Sequence, residues 1–195
     1  MKRLCVFCGS SAGARAEYAQ GARSLAVAMA DRRLGLVYGG GNVGIMGILA
    51  DAMLDAGGEV VGVIPQSLVA REVAHRGLTE LRVVDTMHQR KALMSELSDG
   101  FIALPGGFGT LEEFFEILTW SQLGIQNKPS GLLNIAGYYD GLLTMLDHAV
   151  AERFVRPAHR ELIITDTSPE NLLKRLVAFT PVHVSKTTDA AGNFL

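Results

Sequence analysis

Phe101-Ile102-Ala103-Leu104-Pro105-Gly106-Gly107-Phe108-Gly109-Thr110-Leu111-Glu112-Glu113 is the stretch that decides the fold. Its first four residues are apolar and read as a buried strand. Phe114-Phe115-Glu116-Ile117-Leu118 follows it and reads as a helix. The glycines therefore occupy a strand-to-helix turn. The first amides of such a helix have no partner in their own backbone. Those amides and the helix dipole favour an anion, and phosphate is the usual one. Carboxylates at the same turn place an acid beside the phosphate cradle, which points to chemistry on a phosphorylated small molecule.

Outward from this turn, apolar runs alternate with amphipathic stretches. Strands are expected at residues 4–8, 36–38, 60–64, 81–84, 101–104, 131–134 and 162–165. Helices are expected at 14–31, 44–56, 87–97, 111–123, 141–152 and 169–179. Several strands are apolar without polar alternation, as a parallel sheet covered on both faces requires. The pattern predicts an α/β fold, Rossmann-like and doubly wound, with a mainly parallel sheet between helices. A single nucleotide-binding domain over residues 1–180 and a polar tail at 181–195 are expected, and residues 65–77 read as a long active-site loop with one helical turn. The helix after the glycine turn carries Phe114, Phe115, Ile117, Leu118, Trp120 and Leu123, too many for one core stripe only somewhat over ~100° wide. Its second face suggests a homodimer.

Composition sets the class. The net charge is −2, and no basic stripe is present to bind nucleic acid. No apolar run reaches the ~18–20 residues that cross a bilayer. The N-terminus has two early charges but no long apolar core, so no signal peptide is read there. Cys5 and Cys8 are the only cysteines. Three apart on a strand, they point to opposite faces, so core packing is expected rather than a redox pair. A cytoplasmic, disulfide-free protein follows, with no membrane partner.

Three strand-to-loop junctions are rich in small residues: Cys8-Gly9-Ser10-Ser11, Gly39-Gly40-Gly41-Asn42-Val43-Gly44 and Gly106-Gly107-Phe108-Gly109-Thr110. All should lie at one sheet edge and can converge on one ligand. None fits a nucleoside-triphosphate loop or the G-x-G-x-x-G spacing of a dinucleotide site. On the helix alone, Thr110-Leu111-Glu112-Glu113 reads as a capping box, with Thr110 as N-cap and Glu113 completing it. The phosphate cradle shifts that balance towards catalysis, with Glu116 in reserve. Arg90 and Lys91 sit near another helix start, against the dipole preference, so an anionic ligand or carboxylate partner is expected there. His88 and Glu72 remain ambiguous between chemistry and surface. No metal cluster with credible ligand spacing appears.

These motifs resemble the LOG (lonely guy) family of cytokinin riboside 5′-monophosphate phosphoribohydrolases, often labelled lysine decarboxylase-like. The resemblance covers residues 4–179. It rests on Phe7-Cys8-Gly9-Ser10-Ser11, Tyr38-Gly39-Gly40-Gly41 with Gly44-Ile45-Met46-Gly47, Met87-His88-Gln89-Arg90-Lys91 and the Pro105 to Glu113 motif. Trp120 through Ile125, Lys128-Pro129 and Asn134 through Tyr139 also look like the family. The resemblance implies a homodimer, without cofactor, that cleaves the N-glycosidic bond of a purine nucleoside 5′-monophosphate to free base and ribose 5-phosphate. Arg90 and Glu113 match its catalytic pair. Glu72, Arg90, Lys91, Gly107, Phe108, Gly109, Thr110, Leu111, Glu112, Glu113 and Thr119 match its substrate contacts. From the other two junctions, Gly9, Ser10, Gly40 and Gly41 are expected at the substrate as well.

Cleavage would pass through an oxocarbenium-like ribosyl cation. Glu113 can stabilise it and activate water. Arg90 is always charged and cannot be a general acid. It either holds Glu113 through a bidentate pair or stabilises the departing base. Glu72 or a water can assist that base. Two alternatives stand beside this reading: a broader AMP or pyrimidine-nucleotide nucleosidase, and a non-catalytic carrier of a nucleotide-like cofactor.

Overall fold

Strand β1 (Arg3–Phe7) shows why the sheet lies between two layers. Leu4 and Val6 join one apolar cluster, while Cys5 and Phe7 join the other. The same alternation runs through β2 (Gly35–Tyr38), β5 (Phe101–Ala103), β6 (Ser130–Leu133) and β7 (Ile163–Asp166). With both faces apolar, each strand needs a helix layer above and below. The computed structural model describes residues 1–69 and 74–180, so Glu72 and the tail at 181–195 lie outside the described residues.

One layer is built by α1 (Ala16–Asp31), α2 (Gly44–Asp55) and α8 (Pro169–Val177). In α1, Ala22, Leu25, Ala26 and Met29 are buried, the i, i+3, i+4, i+7 spacing of one helical face. The other layer is built by α4 (Met87–Glu96), α5 (Phe108–Gln122) and α6 (Asp140–Ala151). Two single turns, α3 (Gln66–Val69) and α7 (Pro157–Arg160), complete the described α-helices, and a 3-10 turn spans Ile135–Gly137.

With β3 (Val60–Pro65) and β4 (Glu80–Val84), the sheet has seven strands in the order β4-β3-β2-β1-β5-β6-β7. Every strand pair is parallel. The chain winds outward from β1 to β4 on one side and from β5 to β7 on the other. The switch point is therefore the β1–β5 pair, outside whose carboxyl ends ligands bind in such sheets.

All seven expected strands are present, each end within one residue of expectation. Helix α5 is the main correction. It begins at Phe108 rather than Leu111, because the extended backbone of Gly107 (φ −91°, ψ −153°) takes the N-cap position. Thr110 is thus the third helical residue, and Glu113 lies in the second turn. The expected capping box at Thr110 and Glu113 does not exist. The capping box of this region stands on α4, where Thr86 and Gln89 bond reciprocally. Helix α7 escapes periodicity, since four residues behind Pro157 carry no repeating apolar pattern.

Candidate active site

The three small-residue junctions meet as expected. A cleft of about 200 Å³ opens at the β1–β5 switch point. Cys8, Gly9 and Ser10 line it after β1, Gly39 after β2, and Gly107 to Thr110 after β5, with Arg90 and Glu113 from the helices. The junctions are bonded to one another. The Gly9 amide donates to Pro105 O (3.2 Å), and Gly9 O accepts from the amides of Ile45 (3.0 Å) and Met46 (3.3 Å). From the β6 side, Tyr139 Oη donates to Leu104 O (2.6 Å) and Tyr138 Oη to Gly106 O. Asn134 Oδ1 holds the Tyr139 amide in turn (2.8 Å).

Gly44 is what allows α2 to approach Ser10. Its φ is +57°, and a Cβ there would lie 2.3 Å from the Ser10 carbonyl carbon and 2.4 Å from the Ser11 nitrogen. Neither contact can yield by a side-chain rotation. Gly44→Ala is expected to destabilise the fold by more than about 2 kcal/mol, adding left-handed strain to a backbone clash. Urea unfolding checks this through a lowered midpoint at unchanged slope.

The start of α5 is left without a side-chain cap. The first helical bond runs from the Leu111 amide to Gly107 O (3.1 Å), so the amides of Phe108, Gly109 and Thr110 have no acceptor within the helix. Gly107 has no side chain to cap them. At Gly107 and Gly109 an added Cβ would meet nothing within 4 Å, and neither glycine has a positive φ. Backbone and packing therefore do not require glycine there; what the two positions keep open is the cleft. Gly106 differs, since its Cβ would lie 2.1 Å from Thr110 Oγ1. That contact seats the buried Thr110 against the turn.

Arg90 is 6% exposed. Its Nε donates to Val63 O (3.1 Å) and its Nη2 to Gly39 O (3.2 Å), at the carboxyl ends of β3 and β2. Its Nη1 lies 3.8 Å from Met87 Sδ and 3.7 Å from Glu113 Oε1. The bidentate Arg90–Glu113 pair considered from the sequence is absent. The guanidinium is fixed by main-chain carbonyls, and its charge faces the carboxylate beyond hydrogen-bonding distance. The Glu113 side chain is 12% exposed at this point. Cys8 lies close to both. Burial, then the Glu113 charge, raises its thiol pKa far above the ordinary value against an opposing effect of Arg90. Cys5 is buried in the opposite layer from the cluster against which Cys8 packs, and both are free thiols.

Of the residues singled out in the sequence, Gly9, Ser10, Arg90, Gly107, Phe108, Gly109, Thr110 and Glu113 come together in the cleft. The other described candidates stand elsewhere. Gly40 (φ +78°) turns against Ile64 and Leu81, and Gly41 forms an isolated bridge with Ala74. Lys91 Nζ is taken up by Glu112 (2.6 Å) and Glu116 (3.0 Å), an α4–α5 ion-pair cluster. Burial pulls the Lys91 pKa down, but hydrogen bonds to Glu112 and Glu116 outweigh it and hold the ammonium above its ordinary value. Leu111 packs on the apolar cluster below, and His88 is exposed. Thr119 is exposed on α5, its hydroxyl donating to Phe115 O (2.8 Å). The cleft also recruits Gly39 and Met46, to which sequence reasoning assigned no role of their own. Gly39 carried a signal, since a Cβ there would lie 2.1 Å from Arg90 Nη2.

A family model described as "Possible lysine decarboxylase" matches residues 46–176. Cytokinin riboside 5′-monophosphate phosphoribohydrolase LOG1 of Arabidopsis thaliana is 49% identical over 93% of this chain and 85% of its own length. Its paralogue LOG2 is 49% identical over 97% of this chain and 92% of its own. Among solved structures, the molybdenum cofactor binding protein of Rippkaea orientalis superposes with a TM-score of 0.69 at 22% identity, covering 91% of this chain and 97% of that one. The molybdenum cofactor carrier protein of Chlamydomonas reinhardtii gives 0.67 at 20%, covering 91% and 98%. Those two likenesses concern the fold. Identity near one half across nearly the full length settles the family: the chain belongs to the LOG family, that of the cytokinin riboside 5′-monophosphate phosphoribohydrolases.

Proposed function

We propose that this chain hydrolyses the N-glycosidic bond of purine nucleoside 5′-monophosphates, carrying adenine or an N6-substituted adenine, to the free base and ribose 5-phosphate. One observation carries the reading. An uncapped helix N-terminus and a carboxylate one turn further along the same helix open into one cleft, facing a guanidinium fixed by main-chain carbonyls. The 5′-phosphate sits on the amides of Phe108, Gly109 and Thr110. Glu113 is five residues beyond Phe108, about 7.5 Å along the axis at 1.5 Å per residue. That span suits a ribose held by its phosphate with C1′ at the carboxylate.

As the C1′–N bond breaks, its electron pair leaves with the base nitrogen, which takes up a proton from solvent water, and Glu113 later returns the proton it gains to solvent. Positive charge grows at C1′ and is stabilised by Glu113. Water adds to C1′ and gives its proton to the same carboxylate. Arg90 meets the negative charge that develops on the departing base, its Nη1 lying 3.7 Å from Glu113 Oε1. The description of the matching family model fits the chain poorly. A decarboxylase of this type needs a lysine free to form a Schiff base with pyridoxal phosphate. Lys91 is instead held as an ammonium between Glu112 and Glu116.

The site belongs, on this reading, to a single domain over residues 1–180 of a cytoplasmic homodimer. Leu111, Phe115 and Trp120 are half-buried against the core cluster of this layer, whereas Leu123 and Ile125, at and beyond the end of α5, are exposed apolar side chains that a second copy can cover. Sedimentation at micromolar concentration tests the assembly. The activity is tested by chromatography after incubation with AMP, N6-isopentenyl-AMP and CMP beside their nucleosides. Free base is expected from the purine monophosphates alone. No base from any of them, with binding intact, overturns the hydrolase reading in favour of a carrier.

A further inference from the structure

Three consecutive carbonyls follow β2, and each is occupied by a different part of the fold. Gly39 O accepts from Arg90 Nη2 (3.2 Å), Gly40 O from the His75 amide (3.0 Å), and Gly41 O from Tyr38 Oη (3.2 Å). Arg90 is thus aimed by a turn that is itself held from the far side by His75. The His75 side chain is 8% exposed and is not solvated surface. Its Nδ1 accepts from the Gly77 amide (3.1 Å), and its Nε2 lies 2.9 Å from Asp51 Oδ1 on α2. A main-chain N–H can only donate, so Nδ1 is the acceptor and Nε2 carries the proton towards Asp51. One ring therefore ties the 74–77 segment to α2, while the amide of the same residue ties that segment to Gly40.

We infer that His75 is a positioning residue for the site. By clamping residues 74–77 between α2 and the Gly39–Gly41 turn, it fixes the carbonyl that orients the Arg90 guanidinium. His75 touches neither the cleft nor substrate. Its effect passes through Gly40 and Gly39, and the clearance there is small, because Arg90 Nη2 occupies the place a Gly39 Cβ would take. A displacement of the turn therefore moves the guanidinium. A reacting group misplaced by about 1 Å can cost as much as a hundredfold in rate.

The role as a rate-determining positioner rests on the hydrolase reading, so the test carries a readout independent of turnover. In the full-length protein, the Arg90 Nε–H bonded to Val63 O gives a side-chain ¹⁵N–¹H NMR signal, assigned by its loss in Arg90→Lys. His75→Ala is expected to shift or broaden this signal. It should also lower kcat between about tenfold and a hundredfold with KM within about twofold, because the amides at the start of α5 are untouched. Asp51→Asn keeps an oxygen acceptor for Nε2 and should leave signal and kcat as in wild type. If His75→Ala does not fold, His75→Gln takes its place. It can still reach Asp51 but offers Gly77 no acceptor at the Nδ1 position, and the signal must move. An unchanged Arg90 signal in the folded variant overturns the inference. So does a kcat loss that Asp51→Asn reproduces, which would assign the effect to the Asp51 charge. A moved signal in a protein that releases no base supports the clamp and counts against the hydrolase reading alone.

Discussion

Glu113→Gln is expected to lower release of free base from a purine nucleoside 5′-monophosphate by about 10³, the middle of the range for a positioned acid–base group. The substitution keeps size and one oxygen acceptor but removes the charge that must face C1′. Its structural cost should be small, since the N-cap of α5 is Gly107 and Glu113 lies beyond the first turn. Arg90 loses its counter-charge at 3.7 Å but keeps Val63 O and Gly39 O. A fall in stability of about 1 kcal/mol, or roughly 2–4 °C in Tm for a chain of this size, is expected. Binding of ribose 5-phosphate, measured by calorimetry, should survive because the α5 amides are intact. Turnover near wild type would remove Glu113 from the chemistry and leave it as a counter-charge for Arg90. Loss of binding together with turnover would show that the start of α5 does not keep its geometry without the Glu113 charge.

The reason Glu113 can be tested this cleanly was not legible in the sequence. Thr110-x-x-Glu113 has the composition of a capping box, and local pattern alone favours that reading. What overrides it is tertiary. Gly107 in an extended conformation starts the helix three residues early, and Thr110 packs on Gly106 instead of capping. The sheet was legible almost to the residue, because Leu4 and Val6 against Cys5 and Phe7 announce two apolar faces. The glycine turns were legible as a converging edge, because parallel topology sends every strand's carboxyl end the same way. Side-chain partners were not. Nothing in Arg90-Lys91 says that the first is held by the carbonyls of β2 and β3 while the second spans to α5. His75 carried no signal at all. Its two ring partners, Asp51 and Gly77, acquire meaning only once α2 and the segment after α3 are folded together.

Arg90→Lys preserves the charge and should still lower kcat by about 10²–10³, the loss of one preorganised electrostatic group at a reacting centre. Arg90 uses Nε for Val63 O and Nη2 for Gly39 O, and thereby presents Nη1 to the cleft beside Glu113. A lysine has one nitrogen for these three tasks. If it bonds a carbonyl, it withdraws from the cleft. If it reaches Glu113, both carbonyls lose a donor in the protein interior, at about 1–3 kcal/mol each. Activity is therefore compared well below the melting temperature of the variant, with urea unfolding measured in parallel. Gly39→Ala provides the matching perturbation from the other side. It retains Arg90 but pushes a methyl group to within 2.1 Å of Nη2, so the guanidinium must leave its seat. Both variants should lose turnover and keep affinity for ribose 5-phosphate. If Arg90→Lys were active while Gly39→Ala were not, charge alone would suffice at Arg90, and the glycine would be serving the turn. If both were active, the guanidinium would have no part in the reaction. Loss in both, with the phosphate still bound, requires a cation held in one place by the carboxyl ends of β2 and β3, which a parallel sheet with its switch point at β1 supplies.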